Sequence, residues 1–308
     1  MAYHRLFGLL GVGLGMLAGC ASTGSRPAQT PAARWFDGRT GAPASQEGAA
    51  SGAAATDACI IGENHGHPLG LATAAALWDD VLKRTDKAAL SLEFFDRDEQ
   101  SRVDDYLAGL TDEKTFRMRT GRTASAYPEG HRAMVEAAKA AKRPVIASNA
   151  PRAQVRAAGK EGYDRLATLT PEQRRLVRIP DAIPTGKYRD DFDKVMSDPK
   201  AAHGPPPKTE EDRRKQLDAA FRGQSLWDWT MADSIASALA AGDKPVFQVV
   251  GRFHEDFGGG LVQALEKLRP GVRVMTVSFV DAWSDSLRDE DKGRADYVVY
   301  VGPSPAEK

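Results

Sequence analysis

Apolar residues in this chain fall into short runs, separated by stretches in which they recur every three or four positions. The runs "ACIIGE" (58 to 63), "AALSLEFF" (88 to 95), "RPVIASN" (143 to 149), "KPVFQVVG" (244 to 251), "VRVMTVSFV" (272 to 280) and "ADYVVYVG" (295 to 302) have the composition of buried strands. Between them, "LGLATAAALWDDVLKRT" (69 to 85) places Leu71, Ala75, Trp78 and Leu82 on one helical face. Further helices are predicted in "RDEQSRVDDYLAGL", stopping near Gly109, in "PEGHRAMVEAAKAAK" (128 to 142), and over 256 to 268. Strand then helix, repeated, predicts an α/β fold with a mostly parallel central sheet flanked by helices. From about 151 to 243 the alternation gives way to helices and loops, broken by the Pro-rich "HGPPPK" (203 to 208), and this stretch reads as a helical insertion or lid. A ligand is then expected at the carboxyl ends of the strands, under that lid. No fixed-period repeat is present, which argues against a solenoid or propeller.

The first twenty residues follow another logic. Arg5, an apolar run from Leu6 to Leu17 and small residues before Cys20 have the layout of a secretory signal rather than a spanning helix. Leu17-Ala18-Gly19-Cys20 resembles a bacterial lipobox, which implies that residues 1–19 are a lipoprotein signal peptide and that Cys20 carries fatty-acyl chains such as palmitate. Two or three such chains hold a protein stably on a membrane where one does not. An ordinary secretory signal with a chance cysteine is the other reading. Ala21, in place of aspartate, points by the lipoprotein sorting rule to the outer membrane, with the domain in the periplasm or at the cell surface. Residues 20–56, rich in Ala, Gly, Ser, Thr and Pro, are expected to form a flexible tether, with "RWFD" (34 to 37) docking locally, and the α/β domain is expected over 57–308. Cys59 would then lack an intrachain partner and sit in a strand as a small hydrophobe.

Charge adds little. Lys plus Arg and Asp plus Glu each number 42 in 308 residues, so no overall field favours nucleic acid. The glycines 258 to 260 are not followed by Lys-Ser/Thr and so make no phosphate loop.

The strand ends hold the candidate chemistry. The first strand ends in Gly62-Glu63-Asn64-His65, the second contains Glu93, the third ends at Ser148-Asn149, and the fourth leads into Gly251-Arg252-Phe253-His254. In a parallel sheet these ends share one edge, so Glu63, His65, Glu93 and His254 converge. Carboxylates and imidazoles ligate divalent metals and also exchange protons near neutral pH. Each has a plainer alternative: His65 as a loop residue, Glu63 as a helix-start anion, Glu93 in a structural salt bridge. His67, beside Pro68, reads as a solvent-facing helix start, and His131 as a surface or capping residue. In "QSLWDWTMADSIA", Gln224, Asp228 and Ala232 share a helix face that reads as core packing with a buried polar pair.

These motifs, with "YPEGHRAMVEAAKAAKRPVIASNAPR" (127 to 152) and "GQSLWDWTMADSIA" (223 to 236), resemble the paired Gly-x-x-His motifs of the Tiki, TraB and erythromycin-esterase-like superfamily, and within it the ChaN-like lipoproteins. The resemblance covers about 57 to 280. It implies a non-enzymatic, outer-membrane haem-binding lipoprotein of iron acquisition, a homodimer with haem at its interface, and service to an outer-membrane iron or haem transporter. Expected haem contacts are His65, His254, Tyr188 and Arg252. Tyr188 is preferred over Tyr163 and Tyr127 as the tyrosine ligand, since tyrosinate suits ferric iron. Arg252-Phe253 departs from the Gly-Asn-Gly-His of many ChaN-like sequences, which alters the floor of any pocket. Other branches of the superfamily imply the alternative: a metal-dependent peptidase or esterase in which His65, His254, Glu63 and Glu93 hold an ion such as Mn or Zn, with a glutamate as the catalytic base.

Overall fold

The computed structural model describes residues 32–122, 126–198 and 206–304. Among the described residues seven strands form one sheet: β1 Arg34–Asp37, β2 Ala58–Glu63, β3 Ala89–Asp96, β4 Val145–Asn149, β5 Val246–Gly251, β6 Val274–Val280 and β7 Tyr297–Tyr300. Their order is β1-β7-β6-β2-β5-β3-β4, parallel throughout except where β1 runs antiparallel to β7. The chain leaves central β2 toward β3 and β4, returns to insert β5 between β2 and β3, then crosses to β6 on the other side. The direction of winding therefore reverses at β2, and the carboxyl ends of β2 and β5 open on the crevice where ligands bind in such sheets.

The two faces are covered by different helices. On one lie α1 Gln46–Ala55, α2 Pro68–Leu82, α3 Gln100–Leu107, α4 Glu113–Arg119 and α5 Glu129–Ala140. Odd-numbered β2 positions Cys59 and Ile61 pack there with Trp78, Leu77 and Met134. The even positions Ala58 and Ile60 face the other layer, with Trp229, Met231 and Ile235 of α10 (Glu210–Ala241) and Leu261 and Leu265 of α11 (Gly260–Leu268). Both faces are apolar, as period-two alternation requires of a sheet buried on both sides. Cys59 is a free, buried thiol.

Three expectations change. Residues 32–56 do not form a tether: Trp35 and Phe36 are buried in β1 against β7, and α1 packs Ala49, Ala50 and Ala53 into the core. Small side chains give little apolar area per residue, so composition reads as a linker, yet they let a helix lie close against its neighbours. The stretch 151–243 is not one insertion. α6 Arg152–Glu161 and α7 Tyr163–Ala167 pack with Leu226 of α10, α8 Pro171–Arg174 is a single turn that follows them, α9 Lys187–Met196 brings Tyr188 to Asp228, and α10 itself is a layer of the core. His67 is not in solvent. Its ring accepts from Gly70 N at 3.1 Å as the N-cap of α2, and its other nitrogen bonds the Gly302 carbonyl at 3.0 Å. Residues 1–19, Cys20 and His203 lie outside the described residues.

The exposed edge of β4 is closed by one side chain. Gln100 donates to the Val145 carbonyl at 2.9 Å and accepts from Ala147 N at 2.7 Å, imitating an eighth strand. An open edge would be a template for pairing with another chain.

Candidate functional site

β2 ends at Glu63, whose carboxylate is almost fully buried and holds two imidazoles. His65 Nδ1 donates to Oε1 at 3.1 Å and His131 Nε2 donates to Oε2 at 3.0 Å. His131 Nδ1 has no partner, so its proton sits on Nε2, where it meets the acid. Burial alone would raise the Glu63 carboxyl, but His131 and then His65 outweigh it and hold the group down to about 2. His65 is raised to about 9, chiefly by its bond to Glu63, with Glu93 adding to it. It is an exposed imidazolium at neutral pH.

The second centre is built around β5. Gly251 N donates to Glu93 Oε2 at 2.6 Å, which fixes that carboxylate at the junction of β3 and β5. The His65 ring lies over Gly251: a Cβ there would stand 2.8 Å from His65 Nε2 and 3.6 Å from Glu93 Oε2. Close approach is why this Gly-x-x-His begins with glycine. His254, in the short 3₁₀ turn after β5, donates from Nδ1 to Asp228 Oδ1 at 2.6 Å, and its Nε2 lies 3.6 Å from Glu93 Oε1. Asp228 is wholly buried on α10 and also accepts from the Tyr188 hydroxyl at 2.8 Å, and Gln224 donates to that hydroxyl at 3.0 Å. Burial raises the Asp228 carboxyl. For His254 burial works downward, and the carboxylates of Asp228 and Glu93 outweigh it. One proton held between Nδ1 and Oδ1 satisfies both groups.

The structure thus brings Glu63, His65, Glu93, His254 and Tyr188 to one edge, with Glu63, His254 and Tyr188 each hydrogen-bonded and the His65 ring exposed. Asp228, Gln224 and His131 join them, although the sequence favoured plainer roles. The i, i+4 spacing of Gln224 and Asp228 was the available signal for the first two. Nothing local to His131 revealed that its turn faces Glu63. Arg252 is placed by Asn64: its Nε donates to Asn64 Oδ1 at 2.7 Å and NH1 to Asp256 at 3.2 Å.

Among the described residues no group of three or more His, Cys, Asp or Glu side chains is arranged to hold a metal ion. The divalent-metal set of His65, His254, Glu63 and Glu93 therefore has no support. The acids are spent on imidazoles and a backbone amide, and the donor nitrogens point at acids. A cleft of about 690 Å³ opens instead between α9 and residues 252–257, lined by Lys187, Tyr188, Val195, Arg252, Phe253 and Phe257 among others.

The family model described as haem-binding uptake, Tiki superfamily, ChaN, matches residues 49–265. Among solved structures, ChaN of Campylobacter jejuni with cofacial heme is 14% identical, over 87% of this chain and 96% of that one, at a TM-score of 0.66. The type III effector HopBA1 is 12% identical over 84% and 94%, at 0.46. An erythromycin esterase mutant, EreC in its open conformation, is 12% identical over 89% and 84%, at 0.45. At these identities the first likeness is one of fold, and the other two support no functional argument. No curated protein matches. By the family match over residues 49–265, which include both Gly-x-x-His motifs, the chain belongs to the ChaN family of haem-binding uptake proteins within the Tiki superfamily.

Proposed function

We propose that this protein binds haem in the cleft at the carboxyl ends of the strands, beneath α9, as a lipid-anchored outer-membrane protein of iron acquisition. The observation that supports the site is the cleft's composition. Phe253, Phe257 and Val195 give the cleft apolar lining for a flat macrocycle, and Lys187, Lys194, Arg252 and Arg294, interleaved with Asp191, Asp198, Asp256 and Glu290, put cations within it for the macrocycle's carboxylates. When bound, haem would supply its iron as the cargo. The protein's own residues bind and orient the ring and exclude water from one of its faces. Titrating haemin into the purified chain tests this: a saturable Soret shift is expected, and its absence sinks the proposal. The lipid anchor is supported by the Leu17–Cys20 motif alone. Cys20→Ser is expected to move the chain from the membrane to the soluble fraction. A homodimer and an outer-membrane transporter partner are supported by family likeness only, and light scattering with and without haemin checks the first.

The carboxylate and imidazole cluster favours a second reading, a hydrolase. His65, charged and exposed beside Glu93, suits the role of a proton donor to a leaving group. Ester and peptide turnover that His65→Ala and Glu93→Gln both abolish would establish it, and turnover indifferent to both variants would end it.

A further inference from the structure

The chain enters its folded domain on the same edge of the sheet as the site. β7 runs parallel to β6 and ends at Tyr300 on the carboxyl edge, and Arg34, which begins antiparallel β1, pairs with Tyr300. Cys20 precedes Ala32 by twelve residues. Twelve residues span at most about 43 Å, whatever path they take. The compact unit Ala32–Lys308 is roughly 50 Å across by the size scaling of folded chains. A lipid on Cys20 therefore cannot bring the amino edge of the sheet to a membrane, because the chain would have to pass the whole domain to do so.

The surroundings of the entry point suit a lipid surface. Trp283, in the segment after β6, is the most exposed of the five tryptophans, at 39%. Arg34 Cζ stands 5.6 Å from its ring centroid, and the same guanidinium pairs with Asp285. The ring has a fixed seat. A Cβ on Gly302, whose φ is 79°, would overlap Trp283 Cε2, so only glycine lets the backbone pass there. His67 Nε2 donates to the Gly302 carbonyl at 3.0 Å, which joins this seat to the loop carrying the exposed His65 ring. An indole, apolar in body with one N–H, is a side chain that settles at the headgroup level of a bilayer. Asp281 and Asp285, both exposed, flank Trp283 and offset Arg34 and His65, so the patch has no cationic excess to draw anionic lipid. Contact here is aromatic, and neutral lipid suffices.

Resting on the lipid-anchor reading above, we infer that the β1–β7 end of the carboxyl edge lies on the membrane that holds Cys20, with Trp283 at headgroup level. The His65 loop then opens beside lipid, and the amino edge of the sheet points away from it.

The test reconstitutes the lipidated full chain into phosphatidylcholine vesicles, with and without phosphatidylcholine brominated on its acyl chains, which quenches nearby tryptophan. Wild-type fluorescence is expected to fall on the brominated lipid. Trp283→Phe is expected to float with the vesicles as before and to lose most of that quenching. An indole placed at the amino edge by Lys87→Trp, at an exposed position just before β3, in the Trp283→Phe chain, is expected to restore none of it. Circular dichroism checks that both variants fold. A chain that floats but whose quenching is absent, is unchanged by Trp283→Phe, or is restored by Lys87→Trp overturns the inference and leaves the anchor standing. A wild-type chain that does not float with the vesicles overturns the anchor reading and the inference with it.

Discussion

Replacing Asp228 with alanine strikes the most deeply buried junction of the site. The carboxylate is inaccessible to solvent and receives the His254 imidazole at 2.6 Å and the Tyr188 hydroxyl at 2.8 Å. Without it, His254 keeps the 3.6 Å approach of Glu93 and the 3.1 Å contact of its Nδ1 with the Gln224 amide, itself a donor, and the Tyr188 hydroxyl has no acceptor. Breaking one side of a buried pair costs about 3–5 kcal/mol and stranding a hydroxyl about 1–2, but groups in one network do not add, so the expected loss is about 4 kcal/mol. Asp228→Asn keeps the volume and one acceptor oxygen and is expected to cost about 2 kcal/mol, and Tyr188→Phe about 1. Urea unfolding, followed by the fluorescence of buried Trp78 and Trp229, measures all three and the Asp228→Ala, Tyr188→Phe double variant. The double variant is expected to fall short of the sum by about 1 kcal/mol. A loss below about 1 kcal/mol for Asp228→Ala, or strict additivity of the pair, would refute the view of these residues as one buried network.

Other perturbations have equally definite outcomes. Glu63 sits at about 2 against 4.5 when unfolded, so its contribution of roughly 3 kcal/mol is complete above pH 4.5 and lost as pH falls toward 2. Glu63→Gln should flatten that acid limb of urea midpoints, and an unchanged limb contradicts the assignment. His65, at about 9 against 6.5, stabilises below pH 6.5 and ceases to do so as pH rises through 9. An NMR titration of its ring should show the high midpoint, and Glu63→Gln should bring it down. Gly62→Ala would put a Cβ 2.3 Å from Glu255 Oε1 and 2.8 Å from Arg252 Cα, and since backbone cannot swing aside, about 1–3 kcal/mol should be lost in thermal melts. Gln100→Ala uncovers the β4 edge and should add a concentration-dependent dimer in gel filtration, and a monomer at every concentration would show that the edge is protected some other way.

Much of the fold was legible because it rests on periodicity. Six of the seven strands follow from apolar runs bounded by turn residues, and β2 and β5 end where the two Gly-x-x-His motifs begin. α1 was missed because alanine and glycine give a weak apolar signal, and β1, expected only as a local docking of "RWFD", has two apolar residues, too few to read as a strand until β7 pairs with it. The mistaken solvent reading of His67 has the same origin, since its bond to the Gly302 carbonyl spans 235 residues of sequence.

The sequence by itself determined the alternation of strands and helices, the parallel sheet this implies, and the set of residue types at its carboxyl edge. Those depend on side-chain period and on chain order, both local properties. Only the tertiary structure decided how the edge is wired. It aimed His131 at Glu63, set Asp228 under His254, laid His65 across Gly251 and left a cleft walled by Phe253 and Phe257 instead of an open cation site. Which donor meets which acceptor depends on distances between elements far apart in sequence. A buried charge accepts only arrangements in which every partner is present.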